Sequence, residues 1–442
     1  RILYYIIILK MKNNDLVIVG LGSIGANLAE YLISQNFKIR VWDKNLIRLK
    51  KFSKKNAIKV NYKLSKNLMK NDIVILAINA GKNVDDFFYE NMKFLKKIKY
   101  LIDLGNNHPD DTLRRFFFLK KHNIKYINPG FSGGIEGAKG KASLMISCNK
   151  SELKNLNFIF SEISGDNKKL LKLVGNKPHA GNYVKIVHNS IEYSILQSIA
   201  DYYFVLKRFR RCSNQKILGE IRYIEKKLKN FYLLDIFKKI ILKKINLNRI
   251  MDKVDDNNTG AWASQLCIKY KFPTQILHAS VDARYLSKSK KFIKPFNNKI
   301  SKFNIRNFTD ALIFILRFSY VQGIGLLNEI DKVEKLGLNL NNIILSWRSK
   351  SIIRSSLLKN LLMHFNNNKF NSKFFNKNFF SNKKINLFLK TCKDLSQNNL
   401  YPSTFLSVGT WLFHHQKYHF SSFSLIQKMR NVFGNHKTRI KY

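Results

Sequence analysis

The sequence predicts an α/β chain in two parts: a doubly wound parallel sheet over residues 11–181, then a large all-α domain over residues 182–428 with a short tail at 429–442. Three observations predict this. Short apolar runs alternate with helical patterns in the first part, a glycine-rich turn joins the first strand to the first helix, and long 3.6-residue periodicities take over after Asn182.

Taken in order, residues 1–10 read as an extension ahead of Met11; their apolar run is far shorter than the roughly 20 residues that cross a bilayer. Residues 16–20 form an apolar strand, 26–34 carry helical periodicity and 38–42 are apolar again, which is a βαβ unit. Residues 72–78, 100–104 and 125–127 supply further buried strands, each closed by Gly, Asn or Pro. Helical patterns then cover 183–207, 213–230, 259–270, 273–286, 308–330 and 342–362. The stretch 366–384, rich in Asn, Lys and Phe, reads either as a loosely packed loop or as helices degraded in sequence.

Composition narrows the classes. The 442 residues are 45% hydrophobic, enough for a globular core in two or three domains. A net charge of +51 is the electrostatic footprint of nucleic-acid binders, but the lysines are spread over nearly every segment instead of forming an arm or stripe. Compositional drift explains them better, so no nucleic-acid or membrane partner is expected. The four cysteines, Cys148, Cys212, Cys267 and Cys392, show neither a disulfide nor a zinc spacing; a reducing, cytoplasmic setting and no metal are expected.

Two local patterns carry chemistry. Gly20-Leu21-Gly22-Ser23-Ile24-Gly25 lies between a strand and a helix, where glycines allow close approach of a pyrophosphate to the free N–H groups of the helix start. This is a Rossmann-like dinucleotide turn. After the second strand, Asp43 suits a ribose diol and NAD, whereas Lys44 suits the 2′-phosphate of NADP; the sequence leaves that choice open. In the second pattern, Lys185, His188, Asn189 and Glu192 recur at i, i+3, i+4 and i+7, so an amine, an imidazole, an amide and a carboxylate share one helix face. Apolar Ile186, Val187, Ile191 and Ile195 flank them, a setting suited to a site at the junction of the two parts.

Several longer motifs then converge. Asp103-Leu104-Gly105-Asn106, Asp111-Thr112-Leu113-Arg114-Arg115, Phe131-Ser132-Gly133-Gly134-Ile135-Glu136-Gly137-Ala138 and the 180–193 run are followed by Thr259-Gly260-Ala261-Trp262, Ala283-Arg284-Tyr285 and Phe433-Gly434-Asn435-His436. With them, the chain resembles the 6-phosphogluconate dehydrogenase family from about residue 15 to 437; the first motifs are shared in part by the wider β-hydroxyacid dehydrogenases. The resemblance implies oxidative decarboxylation of 6-phosphogluconate to ribulose 5-phosphate with reduction of NADP or NAD, in a homodimer.

It also implies roles. Lys185 matches the general base and Glu192 the general acid. Asn106, Ser132, Gly133, Gly134, His188 and Asn189 match substrate positions, and Tyr193, Thr259 and Arg284 match phosphate positions. Arg430 and His436 match the two residues that the tail delivers to the partner subunit's pocket. Gly20, Gly22, Ser23, Ile24, Gly25, Asp43, Lys44, Asn79 and Asn106 match the cofactor side. Two departures stand out: Asn257 replaces a phosphate-binding Lys, and the sequence stops at Tyr442, soon after His436. A dehydrogenase for an unphosphorylated β-hydroxy acid is the alternative within the same chemistry, which Arg284 and Arg430 oppose. A basic nucleic-acid-binding protein on a retired enzyme scaffold is the alternative outside it.

Overall fold

A computed structural model describes residues 16–165, 171–255, 258–289, 303–365, 380–416 and 422–434. The chain alternates β1 (Leu16–Val19), α1 (Ser23–Ser34), β2 (Ile39–Trp42), α2 (Leu46–Asn56), β3 (Ile73–Leu76), α3 (Lys82–Leu95), β4 (Tyr100–Asp103), α4 (Pro109–Lys120) and β5 (Lys125–Ile127). All neighbouring strands pair in parallel, in the order β2-β1-β3-β4-β5. Every residue of β1, β3 and β4 is buried, as a sheet covered by helices on both faces requires. Alternation then divides the core: Leu16 and Ile18 join one hydrophobic layer, Val17 and Val19 the other.

The parallel sheet ends at Ile127, earlier than the sequence predicts. A second, three-stranded sheet follows, in which β6 (Gly130–Ser132) runs antiparallel to β7 (Ser143–Ser147) and β7 runs parallel to β8 (Leu173–Gly175), with α5 (Lys150–Ser164) between the last two. Strands this short give too few alternations for a period to register.

The helical domain is built around α6 (Ala180–Phe204). From Ala180 to Ile191 every residue of this helix, apolar or polar, is buried, whereas Ala200 and Phe204 near its end are exposed. Around it stand α7 (Asn214–Lys227), α8 (Tyr232–Leu242), α9 (Thr259–Lys269), α10 (Gln275–Leu286) and the 30-residue α11 (Ile305–Glu334). By length and composition α11 passes for a membrane span, yet 89% of its most apolar window is packed inside the domain. It forms the second core axis.

Where the sequence suggests one helix over 342–362, there are two: α12 (Leu340–Lys350) and α13 (Ser356–Phe365). Ser351 is extended (φ −69°, ψ 161°), with its hydroxyl donating to the Trp347 carbonyl, and this diverts the backbone. The freed Ile352 N–H reaches Ser132 Oγ at 3.4 Å. Beyond lie α14 (Asn382–Gln397), α15 (Ser403–His414) and α16 (Ser422–Gly434), which the sequence reading did not resolve. Residues 1–10 and most of the Asn-rich stretch, 366–379, lie outside the described residues.

Candidate active site between the two domains

The buried wall of the site is the first half of α6. Gly130 on β6 lets that helix come close: a Cβ there would lie 2.8 Å from Lys185 Cβ and 3.0 Å from the Gly181 carbonyl oxygen. Lys185 is thereby packed to 6% exposure. Burial pulls its ammonium down to about 8, against an opposing pull from the Glu192 carboxylate. Glu192, 18% exposed, lies two turns further on, about 10 Å along the axis. Burial raises its pKa, partly offset by the positive charges of Lys185 and Arg284. An amine and a carboxyl thus lie on one face with both pKa values moved toward neutrality.

His188 sits between them, fully buried. Burial first, and the Lys185 charge second, hold its imidazole well below the usual range, so the ring is neutral. Its contacts specify the tautomer. Asn189 Oδ1, an acceptor only, faces Nδ1 at 3.1 Å, so the ring proton belongs on Nδ1. Nε2 then accepts from the Ser132 hydroxyl at 3.1 Å, while Ser132 Oγ accepts the Ile352 N–H. Asn189 Nδ2 in turn donates to Thr259 Oγ1 at 3.0 Å, in the N-terminal turn of α9. One line of hydrogen bonds therefore runs from the turn after α12, through β6 and α6, to α9. Gly133 and Gly134 follow Ser132 with φ of +129° and +56°, opening a backbone turn beside it.

Tyr193, Thr259 and Arg284 meet at the outer end. The Arg284 guanidinium lies 3.6 Å from the Tyr193 ring centre and donates to the Asp255 carbonyl at 3.1 Å. Among the described residues, the tail residue Arg430 makes no hydrogen bond or ion pair with this cluster. Arg430 lies on α16, exposed, with its guanidinium 3.4 Å from Gln427 Oε1, and His436 lies outside the described residues, as does Asn257.

On the sheet side, the glycine turn borders a cavity of about 240 Å³ whose walls include Gly20, Gly22, Asp43, Lys44, Arg48 and Asn79. A Cβ at Gly22 would meet nothing within 4 Å, and α1 begins there with neither a side-chain cap nor an acidic residue in its first turn. That is an open, positive helix end. Asp43 is 6% exposed and committed: Oδ2 accepts the Leu21 N–H at 2.6 Å, and Oδ1 accepts the Asn45 N–H at 2.7 Å. Its carboxylate fastens the glycine turn, while Lys44 and Arg48 are exposed cations beside it and Asp86 and Glu90 are exposed acids on the α3 side of the same cavity.

Sequence reasoning missed the brace beneath this cleft. Asn106 is half-buried at the end of β4, but its neighbour Asn107 is 2% exposed and donates to Asp103 Oδ2 at 2.9 Å. Arg115, buried in α4, donates to Asn107 Oδ1 at 2.7 Å and to both oxygens of Asp85. Asn128 Oδ1 accepts from Asn107, from Thr112 and from Asn182 on α6. The signal was present as polar residues inside apolar strand ends, but nothing local says which of two adjacent asparagines points inward. Across the mouth, the His108 and Trp262 rings meet edge to face at 5.4 Å, joining the two domains. Among the described residues, no three His, Cys, Asp or Glu side chains gather as a metal site.

The comparisons agree with this architecture. The model of the NAD binding domain of 6-phosphogluconate dehydrogenase matches residues 15–175, and that of the 6-phosphogluconate dehydrogenase C-terminal domain matches residues 181–441. The decarboxylating 6-phosphogluconate dehydrogenase of Schizosaccharomyces pombe is 30% identical over 79% of this chain and 76% of its own length. That of Buchnera aphidicola from Acyrthosiphon pisum is 29% identical over 81% and 82%. The solved Plasmodium falciparum 6-phosphogluconate dehydrogenase, studied in apo form and with NADP+ and 6-phosphogluconate, superposes with a TM-score of 0.83 at 26% identity, covering 97% of this chain and 98% of that one. A Mycobacterium tuberculosis 3-hydroxyisobutyrate dehydrogenase shares the fold over 62% of this chain, at 16% identity and a TM-score of 0.50. The chain belongs to the 6-phosphogluconate dehydrogenase family.

Proposed function

We propose that the protein oxidises and decarboxylates 6-phosphogluconate to ribulose 5-phosphate and carbon dioxide, with NADP as the hydride acceptor. The observation that carries this is the pairing on α6 of a buried amine held near pH 8 with a carboxyl raised by burial. Loss of carbon dioxide needs a carbonyl β to the carboxylate, so the hydroxyl at C3 is oxidised first. Neutral Lys185 takes the hydroxyl proton as hydride leaves C3. As carbon dioxide departs, the Lys185 ammonium returns that proton to the C3 oxygen, and an enediol remains. Glu192 then protonates the carbon that carried the carboxylate, while Lys185 accepts the C3 hydroxyl proton again. Ser132, Gly133, Gly134, Asn106, His188 and Asn189 bind the sugar acid. Thr259, Tyr193 and Arg284 hold its phosphate, with Arg284 able to present a bidentate contact.

The nucleotide end of the sheet fits the cofactor. The open N–H groups at Gly22–Gly25, together with Ser23 and Ile24, suit a pyrophosphate, and Asn79 and Asn106 border the nicotinamide side. When bound, the nicotinamide supplies the hydride acceptor. Lys44 and Arg48, exposed just beyond β2, favour the 2′-phosphate; beside them Asp43 has both oxygens bound to backbone N–H groups, and the other acids of the cavity, Asp86 and Glu90, stand on α3. Four free, buried cysteines support a reducing, cytoplasmic setting.

A homodimer completes the site in this reading, with Arg430 and His436 reaching the partner subunit's phosphate pocket. It is supported by α16, where Phe423, Leu425, Met429 and Val432 are 55%, 63%, 48% and 77% exposed within one chain. The deciding experiment incubates purified protein with 6-phosphogluconate and either dinucleotide, and follows reduced nicotinamide and released carbon dioxide together. Equimolar formation of both is expected. Folded protein that yields neither product overturns the proposal, and oxidation without carbon dioxide release points to an unphosphorylated or non-decarboxylating relative.

A further inference from the structure

Away from the cleft, α7, α11 and α14 enclose a cavity of about 430 Å³, within the size range of small-molecule sites. Four cations line it, Lys227, Arg317, Lys383 and Lys384, against one carboxylate, Asp310. That carboxylate is already engaged, since its Oδ1 accepts both Lys227 Nζ and the Tyr223 hydroxyl at 2.9 Å.

Arg317 is the anomaly. Its Nε is sealed from solvent and has no hydrogen-bond partner, and among the described residues its guanidinium makes no ion pair. Buried donors of this kind are rare, and more costly when charged. The start of α14 repeats the imbalance. Its N-cap, Ser381, is extended and makes no side-chain capping bond, and the first turn holds no acid. Lys383 and Lys384 occupy that turn instead, the wrong sign for the positive end of a helix. The Ser381 carbonyl accepts the N–H groups of Lys384 and Ile385, which leaves those of Asn382 and Lys383 without acceptors among the described residues. Burial and the neighbouring Arg317 and Lys227 charges lower the Lys384 pKa, as expected where like charges gather.

We propose that this cavity binds the phosphate group of a small phosphorylated molecule, with Arg317 as the planar fork, Lys383 and Lys384 as charges, and the Ser381 hydroxyl and the first N–H groups of α14 as remaining donors. So many donors and charges match the three oxygens of a phosphate dianion better than the two of a carboxylate. Phe314, Leu387 and Phe388 form the apolar wall for the rest of the ligand. The cavity shares no residue with the cleft.

The test titrates the full chain, carrying Arg284→Met to silence the cleft, with inorganic phosphate by calorimetry, using chloride at matched ionic strength as the blank. A binding event is expected that either Arg317→Met or Lys384→Met weakens about tenfold or more, equivalent to at least 1.4 kcal/mol, and that Lys44→Ala with Arg48→Ala leaves in place. Lys384→Met, on a surface turn, also raises the melting temperature in phosphate-free buffer. In the chain with Arg284 intact, Arg317→Met leaves turnover of 6-phosphogluconate unchanged. Absence of phosphate binding to the Arg284→Met protein, or equal affinity in all variants, overturns the proposal. If Arg284→Met leaves the KM for 6-phosphogluconate unaltered, the cleft reading fails instead, and the titration of Arg317 and Lys384 still stands.

Discussion

At the level of single residues, Lys185 couples stability to activity. Its folded pKa is about 8 against 10.5 for the free side chain. Below pH 8 both folded and unfolded chains carry the proton, and the folded state bears the whole desolvation penalty. Between 8 and 10.5 only the unfolded chain is protonated, so the penalty fades as pH rises. Lys185→Met is therefore expected to raise stability at pH 7 by up to about 3 kcal/mol, shrinking toward zero by pH 10.5, as read by urea denaturation at several pH values. The same substitution lowers kcat by roughly 10³-fold or more. In the unaltered protein, kcat/KM climbs as pH rises to about 8; a flat profile between 6 and 9 argues against Lys185 as the base. At the other end of the cleft, Lys44→Ala with Arg48→Ala raises the KM for NADP by about tenfold and leaves that for NAD nearly unchanged, since only one of them carries a 2′-phosphate. Equal effects on both would remove the selectivity argument.

Among secondary-structure elements, β6 fits closely against α6. Gly130→Ala inserts a methyl group 2.8 Å from Lys185 Cβ and 3.0 Å from the Met145 sulfur. Strand and helix must part, at a cost of about 1–3 kcal/mol. A lower urea midpoint is expected, with a fall in kcat larger than the change in KM, because Ser132 and Lys185 move apart. Wild-type kcat in a destabilised variant would show that the spacing is structural only. This level also explains what the sequence showed and what it hid. The βαβ run, the glycine turn and the polar stripe from Lys185 to Glu192 were legible because each repeats a period over enough residues. The strands β6 to β8 were too short to do so. The break at Ser351 was hidden because apolar spacing continues across it, and only the tertiary bond from Ile352 to Ser132 shows why the helix ends. Asn107, Asn128 and Asn182 were hidden for another reason: their importance lies in one another, across 75 residues of sequence.

For the molecule as a whole, the apolar face of α16 and the exposed Arg430 on the same helix belong together. Deleting residues 417–442 is expected to convert a dimer to a monomer in sedimentation, and to raise the KM for 6-phosphogluconate far more than the KM for the dinucleotide. A truncated chain that remains dimeric with an unchanged KM would exclude exchange of the tail. The +51 charge, legible from the start, explains little of this geometry; its local arrangement at Lys44, Arg284 and Arg317 matters more than its total.

The attachment of Asp43 to the backbone of Leu21 and Asn45 has a practical corollary for redesign. A protein engineer seeking to retarget the coenzyme would ordinarily begin at that acid. Here its replacement would slacken the phosphate cradle for either coenzyme, so a selectivity library belongs at positions 44 and 48, with position 43 left untouched.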